Sequence, residues 1–320
     1  MDRRDFIRQS SALVATLGLG NAIPMVAADV QEPSFRGPYS TENTKALPGD
    51  LSLRFLGTGA AGYYQDSTRR RHSSVLLDNK VLIDINKCSL DMLPRKCRPE
   101  VLFYTHSHPD QYEPDTALDL NVRKIYLSET WMEKARRDFS KYAAEKHKDM
   151  PQLVPLTVGQ KVEEGGLVFT ALPANHATSS YQEQSLIYLI EKGTTDDALG
   201  VRLLYATDTG GIMGIAGRMA GIDPHLKKGR PITAFIMEAT IGMGMDEDWR
   251  MFNHTSVEGV ARIAHMMEQQ QRYLPLEGQP VYITHMSKSG WPTQEELDKT
   301  LPLPLRAAYD GLDVVFRSRT

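Results

Sequence analysis

Short apolar segments that end at turn residues recur along most of the chain, and this pattern predicts a core rich in β-strands. The predicted strands cover residues 51–56, 74–77, 81–85, 101–104, 167–172, 185–191, 202–206, 233–237 and 281–284. A glycine loop, Gly57-Thr58-Gly59, follows the first strand, and an Asp78-Asn79 turn joins the second and third strands into a hairpin.

Two longer segments have helical periodicity. One predicted helix covers residues 130–147, and a second covers residues 256–271, where Thr255 or Ser256 is placed to cap the first turn. Helices interleaved with strands favour β-sheets covered by helices over an all-β barrel. The predicted fold class is therefore α/β, with one domain spanning residues 51–320.

The N-terminus follows a different pattern. In residues 1–28, Arg3-Arg4 precedes a bulky pair, and an apolar run follows that ends in Val26-Ala27-Ala28. This segment resembles a twin-arginine signal peptide, so we expect recognition by the twin-arginine export machinery and a soluble periplasmic product. The alternative is a basic start on a buried first helix. No cysteine stands at the cleavage point, which speaks against a lipid anchor in the membrane, and residues 29–50 form a linker or an extended lead-in.

Composition narrows the classes of substrate. The 320 residues are 41% hydrophobic, enough to bury a large core, and the formal charge of -3 offers no long-range positive field for nucleic acid. A small-molecule substrate is therefore predicted, and the oligomeric state stays open, a homodimer included. The two cysteines, Cys88 and Cys97, are too few for a four-cysteine zinc site, and their spacing leaves a disulfide open.

Candidate chemistry lies where apolar strands end. Polar motifs stand at five such places: His106-Ser-His108-Pro-Asp110, Asn175-His176, Thr207-Asp208-Thr209, Asn253-His254 and Thr284-His285. Side chains just past buried strands point into the crevice at the sheet edge, where ligand sites of open sheets gather. Imidazole and carboxylate suit zinc, iron or manganese, so the recurrence predicts a metal site.

These motifs resemble those of the metallo-β-lactamase superfamily, over nearly the whole stretch 51–316. The resemblance implies an αββα sandwich, in which two mixed β-sheets are covered by helices on both outer faces. It also implies a metal-dependent hydrolase with zinc as cofactor, one or two ions. The implied ligands are His106, His108, Asp110, His176, Asp208 and His285.

Within the superfamily, the Leu56-Gly57-Thr58-Gly59 loop and the 70–74 segment look like the phosphodiesterase branch, which includes phosphonate-pathway cyclic phosphodiesterases and tRNA 3′-processing endonucleases. Glu238-Ala239-Thr240 and Asn253-His254-Thr255-Ser256 are similar to paired motifs of that branch. The resemblance implies that Glu238 and His254 form a proton relay. Apart from the resemblance, Glu238 would be interpreted as a surface carboxylate at a strand end.

The sequence departs from the HxHxDH motif at Gln111, which stands where the last histidine belongs. An amide oxygen is a poorer donor than imidazole for a borderline metal. The first site, with His106, His108, His176 and Asp208, is intact. The second is expected to bind more weakly, to take a harder ion such as Mn²⁺ or Fe²⁺, or to stay empty.

The predicted reaction is hydrolysis of a small phosphodiester or cyclic phosphate by a metal-activated water, which Asp110 would orient or deprotonate while His254 protonates the leaving oxygen. A lactone or carboxylic ester hydrolase is the first alternative. A non-catalytic metal or small-molecule binding accessory protein is the second, since Gln111 could mark a degenerate second site. Pyrroloquinoline-quinone biosynthesis B proteins, which have an accessory role, also share the early glycine loop.

The sequence does not assign a single role to the arginine run, to three aromatic residues or to the remaining histidines. Residues 69–71 are all arginine and could contact a phosphate or form a solvated turn. Tyr63, Tyr64 and Trp291 could line a pocket or fill the core. No function is predicted for the other histidines outside the motifs, which are His147, His225 and His265.

Overall fold

Two seven-stranded β-sheets form the centre of the protein, as described by a computed structural model over residues 39, 41–61, 70–195, 198–287 and 293–319. The predictions for residues 1–28, Tyr63, Tyr64, Arg69 and Trp291 fall outside the described residues. Among the described residues, no helix is both long enough and apolar enough to span a bilayer.

The first sheet has the strand order β14-β1-β2-β3-β4-β5-β6, and both antiparallel and parallel pairs occur in it. Its strands are β1 (Leu51–Gly57), β2 (Ser74–Leu77), β3 (Val81–Ile83), β4 (Val101–Phe103), β5 (Lys124–Ser128), β6 (Gln152–Leu156) and β14 (Asp313–Phe316).

The second sheet has the order β13-β12-β11-β10-β9-β8-β7 and is mixed in the same way. Its strands are β7 (Lys161–Glu164), β8 (Leu167–Pro173), β9 (Leu186–Lys192), β10 (Val201–Ala206), β11 (Ala234–Glu238), β12 (Val281–Thr284) and β13 (Leu305–Ala307). In each sheet, three antiparallel pairs on one side give way to three parallel pairs on the other.

The described helices cover the outer faces of the two sheets. They are α1 (Pro114–Asp119), α2 (Met132–Lys146), α3 (Gly214–Met219), α4 (Val257–Gln269) and α5 (Gln294–Thr300). Helices α1 and α2 pack on the first sheet, for example through Phe139, and the other three pack on the second, for example through Val260 and Leu297. The predicted α/β sandwich is therefore confirmed.

Strand alternation builds three hydrophobic layers. In β1, Leu51, Leu53 and Phe55 face the second sheet, whereas Leu56 belongs to the layer beneath the helices of the first sheet. Because successive side chains of a strand point to opposite faces, a strand between another sheet and a helix layer must be apolar on both. This explains why the central strands are continuous apolar runs in the sequence.

The structure adds strands that the sequence pattern did not predict. One of them, β5, lies inside the first sheet between β4 and β6. The other four, β6, β7, β13 and β14, are edge strands, and three of these differ visibly from a buried run: β6 contains Pro155, and β7 and β14 carry charged residues. Edge strands need no second apolar face and tolerate proline, so their apolar signal is weak. The predicted strand 81–85 ends at Ile83, because Asp84 has a left-handed backbone, with φ of 54°.

The described end of the lead-in packs on the domain. Thr41 Oγ1 and Tyr282 Oη lie 2.7 Å apart, and Arg306 Nε donates to Glu42 Oε1 at 2.9 Å. Thr41 and Glu42 are buried. This part of the 29–50 segment is therefore bound to strands β12 and β13 of the second sheet by polar contacts.

Candidate metal centre

The structure brings all six predicted ligand residues to one edge of the sandwich, where strands of both sheets end. The first sheet supplies His106, His108 and Asp110 from the loop after β4. The second sheet supplies His176, Asp208 and His285 from the segments after β8, β10 and β12, and Glu238 is the last residue of β11. Strands β10, β11 and β12 are parallel neighbours, so their carboxyl ends meet at one edge. Strand β8 is separated from β10 by the antiparallel β9, so it runs in the same direction as β10 and ends at the same edge.

Three imidazoles converge on one point, and we call His106, His108 and His176 the three-histidine cluster. His108 Nδ1 lies 2.9 Å from His106 Nε2 and 3.1 Å from His176 Nε2. Two nitrogens that share a tetrahedral zinc ion at bonds of about 2.0–2.1 Å lie about 3.3 Å apart. The cluster therefore has the donor type and the spacing of a zinc site, and the residues present fit the ion.

Hydrogen bonds fix which nitrogen of two cluster rings is free to bind an ion. Thr105 Oγ1 donates to Asp84 Oδ2 at 2.8 Å, so its lone pair accepts from His106 Nδ1 at 3.0 Å. His176 Nδ1 donates to the carbonyl oxygen of Asn253 at 3.2 Å. In both rings the proton sits on Nδ1, so Nε2 is unprotonated and directs its lone pair toward the centre of the cluster.

Burial keeps the cluster neutral. It lowers the pKa of His106 well below the ordinary value and, together with the nearby charge of His254, lowers that of His176 to about 4. The pKa of His108 is also lowered, again chiefly by burial. A ligand must present an unprotonated nitrogen, so these rings are in the ligating form at neutral pH.

Next to the cluster lies a second donor group, which we define as Asp110, Gln111, Asp208 and His285. His285 Nε2 is 3.2 Å from Asp208 Oδ2 and 3.6 Å from Asp110 Oδ2. Asp208 also approaches the cluster, with Oδ1 3.8 Å from His176 Nε2. The two groups thus share Asp208.

The ring of His285 is oriented in the same way as the cluster rings. Thr240 Oγ1 donates to the His285 carbonyl oxygen at 2.9 Å and therefore accepts from His285 Nδ1, also at 2.9 Å. Nε2 of His285 is buried and has no hydrogen-bond partner among the described residues. A buried lone pair without a donor is costly unless a cation satisfies it.

Backbone strain marks the same edge. Asp84, Asp208 and His285 adopt left-handed φ angles of 54°, 49° and 52°. Such conformations are rare outside glycine, although Asp and His adopt them more readily than bulky residues, and they tend to cluster at functional sites. The sharp turn after each strand directs these side chains back toward the centre.

Two carboxylates that the sequence analysis did not single out hold the β4 loop. Asp84 Oδ1 accepts from the backbone N–H of Thr105 at 2.8 Å, and burial raises the pKa of Asp84 to about 8. Glu183 accepts from both the N–H and the hydroxyl of Ser107 at 2.7 Å, between two cluster histidines. Asp84 carries the same strand-end signal as the predicted ligands, whereas nothing local in sequence links Glu183 to Ser107.

Glu238 and His254 form a buried pair beside the cluster. His254 Nδ1 donates to Glu238 at 2.9 Å, and the carboxylate also accepts from the N–H groups of Thr209 at 2.6 Å and Thr240 at 3.1 Å. Glu238 is fully buried, so the interpretation as a surface carboxylate is wrong. Burial opposes the charges, but the attraction between partners outweighs it, raising the pKa of His254 and lowering that of Glu238.

Comparisons with known proteins agree with this geometry. A family profile described as beta-lactamase superfamily domain matches residues 88–276, which is more than half of the chain. The chain belongs to the beta-lactamase superfamily. No curated protein matches its sequence.

Several solved structures share the superfamily fold. The metallo-beta-lactamase fold protein YhfI from Bacillus subtilis is 14% identical with a TM-score of 0.56, and covers 83% of this chain and 99% of its own. Zn²⁺-bound PqqB from Methylobacterium extorquens has 16% identity, a TM-score of 0.56 and coverages of 82% and 99%. The long form of RNase Z from yeast has 12% identity, a TM-score of 0.54 and coverages of 86% and 43%. At these identities the similarity shows the fold alone.

The arginines near the superfamily's glycine loop have structural partners in this chain. Arg70 donates to Thr58, to the carbonyl oxygen of Ala308 and to Gln294 at 2.6–2.8 Å. Arg71 pairs with Asp91 and, at 3.5 Å, with Asp310. Both side chains tie separate segments together, so for these two residues neither a free phosphate contact nor a solvated turn describes the structure.

An exposed apolar turn stands beside the centre of this superfamily domain. In the 3-10 turn Trp249–Phe252, the side chains of Trp249 and Phe252 are each 77% exposed and that of Met251 is 55% exposed. The next residue, Asn253, holds His176 through its carbonyl and accepts from Ala177 N–H at 3.2 Å. The exposed apolar turn is thus directly connected to Asn253, whose backbone carbonyl orients the ring of His176.

The other predictions fall elsewhere. His147, the left-handed C-terminal cap of α2, and His265, which is exposed on α4, take no part in the centre. Cys88 and Cys97 are both free. His72 was not singled out, but it is partly buried and its pKa, lowered by burial, responds to the charge of Asp110.

Proposed function

We propose that this protein is a metal-dependent hydrolase and that the three-histidine cluster, with Asp208, holds zinc. The observation that carries the proposal is the convergence of three neutral imidazole nitrogens at 2.9 and 3.1 Å beside a buried carboxylate. In this fold a bound ion would act as a Lewis acid on the scissile group and lower the pKa of an attacking water.

Asp110 is the proposed acceptor of the attacking water's proton. Burial works against its charge, but the nearby imidazole of His285, whose Nε2 lies 3.6 Å away, holds the pKa of Asp110 below the ordinary range, so it is ionised at neutral pH. A carboxylate in that state can orient a water and accept its proton as the bond to the substrate forms.

His254 is the proposed acid for the leaving group. Its Nδ1 faces Glu238, and the two residues with His285 place their ligand atoms within 4.8 Å of one another. Glu238 stabilises the protonated ring, so that His254 can carry a proton at Nε2 and donate it to the departing oxygen. Two backbone N–H groups hold Glu238 in place during the transfer.

The proposed substrate class is a small phosphodiester or cyclic phosphate. The support is the residue pair Glu238–His254 and the shared fold with RNase Z, whose name states that it acts on RNA. The formal charge of -3 disfavours a polynucleotide for this chain and favours a small substrate.

A second candidate, hydrolysis of a lactone or carboxylic ester, is favoured by the exposed turn Trp249–Phe252. An acyl substrate would bring an apolar chain that could cover these side chains, whereas a compact phosphate ester would not. Fully burying one large apolar side chain contributes about 1.5–3 kcal/mol.

A substrate panel tests both candidates. The purified chain would be assayed with bis-p-nitrophenyl phosphate, cyclic nucleotides and lactones, before and after chelation and with added zinc, manganese or iron. Phosphodiester cleavage that chelation abolishes supports the first candidate. Strong lactone turnover without phosphodiester cleavage would replace it by the second, and a tightly metallated chain inert on the whole panel would indicate the accessory binding protein.

We also propose that the chain is exported to the periplasm by the twin-arginine route. The support is the Arg3-Arg4 pair and the following apolar run. Fractionation of cells expressing the full chain or an Arg3→Lys, Arg4→Lys double variant tests this. Periplasmic protein from the first and none from the second is expected, and equal export of both would contradict the route.

A further inference from the structure

Gln111 occupies the centre of the second donor group and is fully buried. Its Nε2 donates to Asp208 Oδ2 at 3.0 Å, and its Oε1 has no hydrogen-bond partner among the described residues. Reversing the amide would set two acceptor oxygens 3.0 Å apart, which is repulsive unless a proton or a cation lies between them. In the structure the amide nitrogen faces Asp208.

This contact occupies the oxygen that a second ion would need. Asp208 Oδ2 is also the atom that lies 3.2 Å from His285 Nε2, so it is central to the second donor group. An N–H donor directed at Asp208 Oδ2 satisfies a lone pair of that oxygen in a hydrogen bond. A second cation would have to displace the donor and bring the buried amide around to present its oxygen instead.

The two donor groups also differ in chemistry. The three-histidine cluster offers three imidazole nitrogens, which suit zinc, whereas the second group offers two carboxylates, one amide and one imidazole. A histidine at position 111 would offer an unprotonated ring nitrogen to the second ion. That nitrogen carries no hydrogen, so it would not form a hydrogen bond to Asp208 in place of the ion. With glutamine at position 111, the second group has one imidazole fewer to offer a metal ion, and Asp208 Oδ2 already accepts a hydrogen bond from the Gln111 amide.

We infer that Gln111 makes this a one-ion centre: the chain holds a single zinc tightly at the three-histidine cluster, and the Gln111 amide takes the place of a second ion against Asp208. The inference rests on the proposed metal function and specifies the number of ions. It assigns to Gln111 a positioning role, because the amide fixes the carboxylate that both donor groups share.

The experiment measures metal stoichiometry, which does not depend on knowing the substrate. The chelator-stripped full chain, a Gln111→His variant and a Gln152→His control on the exposed edge strand β6 would be titrated with Zn²⁺ by calorimetry. Each would then be dialysed and its zinc content measured by mass spectrometry. We expect one retained ion per chain for the original protein and the control, with any second ion bound at least a hundredfold more weakly, and two retained ions for Gln111→His.

Each outcome discriminates. Two ions of similar affinity in the original chain would overturn the inference, because Gln111 would then act as an ordinary ligand. A folded Gln111→His variant that still retains one ion would overturn it as well, since position 111 would not limit the second site. If Gln111→His fails to fold, the stoichiometry of the original chain still decides. No ion in any variant would defeat the proposed metal function itself.

Discussion

The two halves of the centre are built on different principles. In the three-histidine cluster, His106 and His176 each give their Nδ1 proton to a fixed acceptor, and burial keeps both rings neutral. In the second donor group, His285 likewise presents a bare Nε2, but the shared carboxylate Asp208 already accepts from the Gln111 amide. A group that presents only bare nitrogens calls for a cation more strongly than a group whose central carboxylate already accepts a hydrogen bond.

The largest expected effect comes from a matched pair of substitutions, one in each half. His106→Gln should abolish retention of zinc, because an amide is a poor donor and the cluster loses one of three nitrogens. The loss of affinity should exceed the about 10–100-fold that removal of an outer partner causes. His285→Gln should leave about one zinc per chain, because it changes only the second donor group.

Zinc content after dialysis measures both variants, with circular dichroism to show that each is folded. If His285→Gln loses as much zinc as His106→Gln, the three-histidine cluster and the second donor group do not bind metal independently. Both variants should lose hydrolytic activity, so only the metal content separates them.

The next effect concerns turnover rather than metal. His254→Ala removes the proposed acid and should lower kcat by about 10²–10⁴-fold, the usual contribution of general acid–base catalysis. Zinc content should stay at the level of the original chain. His265→Ala, an exposed histidine on α4, serves as the control and should change neither quantity. Loss of zinc in His254→Ala would mean that this ring is a ligand.

Much of this arrangement could be predicted from sequence because strand ends carry a strong signal. Asp208 and His285 follow apolar runs, and the parallel strands β10, β11 and β12 bring such ends to one edge of the sheet without further information. The supporting contacts could not be predicted in the same way. Glu183 meets Ser107 across 76 positions, and Asn253 meets His176 across 77, through a backbone carbonyl that any residue type possesses.

The edge strands show the same limit for the fold. Strand β7, with the sequence Lys-Val-Glu-Glu, is held by pairing with β8 rather than by its own burial. Its place is set by its partner, so a pattern of apolar positions contains little information about it. Gln111 is the opposite case: the departure from the motif is visible in sequence, but its contact with Asp208 appears only in the structure.

A smaller effect tests the support of the cluster. Glu183→Gln leaves one acceptor oxygen where two now bind the N–H and hydroxyl of Ser107, so the loop between His106 and His108 should loosen. Zinc affinity should fall by about 10–100-fold, as for other residues that orient metal ligands. Glu163→Gln, an exposed position on β7, is the matched control. Unchanged zinc affinity in Glu183→Gln would show that the β4 loop is held adequately by Asp84.

The smallest expected effect comes from Thr240, which orients His285 in the second donor group. Thr240→Val keeps the shape of the side chain but removes the hydroxyl that accepts from His285 Nδ1 and donates to its carbonyl. Leaving that buried ring nitrogen without an acceptor should lower the free energy of unfolding by about 1–3 kcal/mol. Zinc content should not change, since His285 belongs to the second donor group. Thr240→Ser retains the hydroxyl and should behave like the original chain in both denaturant unfolding and metal analysis. A drop in zinc content with Thr240→Val but not with Thr240→Ser would show that His285 helps to hold the first ion, because only the orientation of its ring would differ between the two variants.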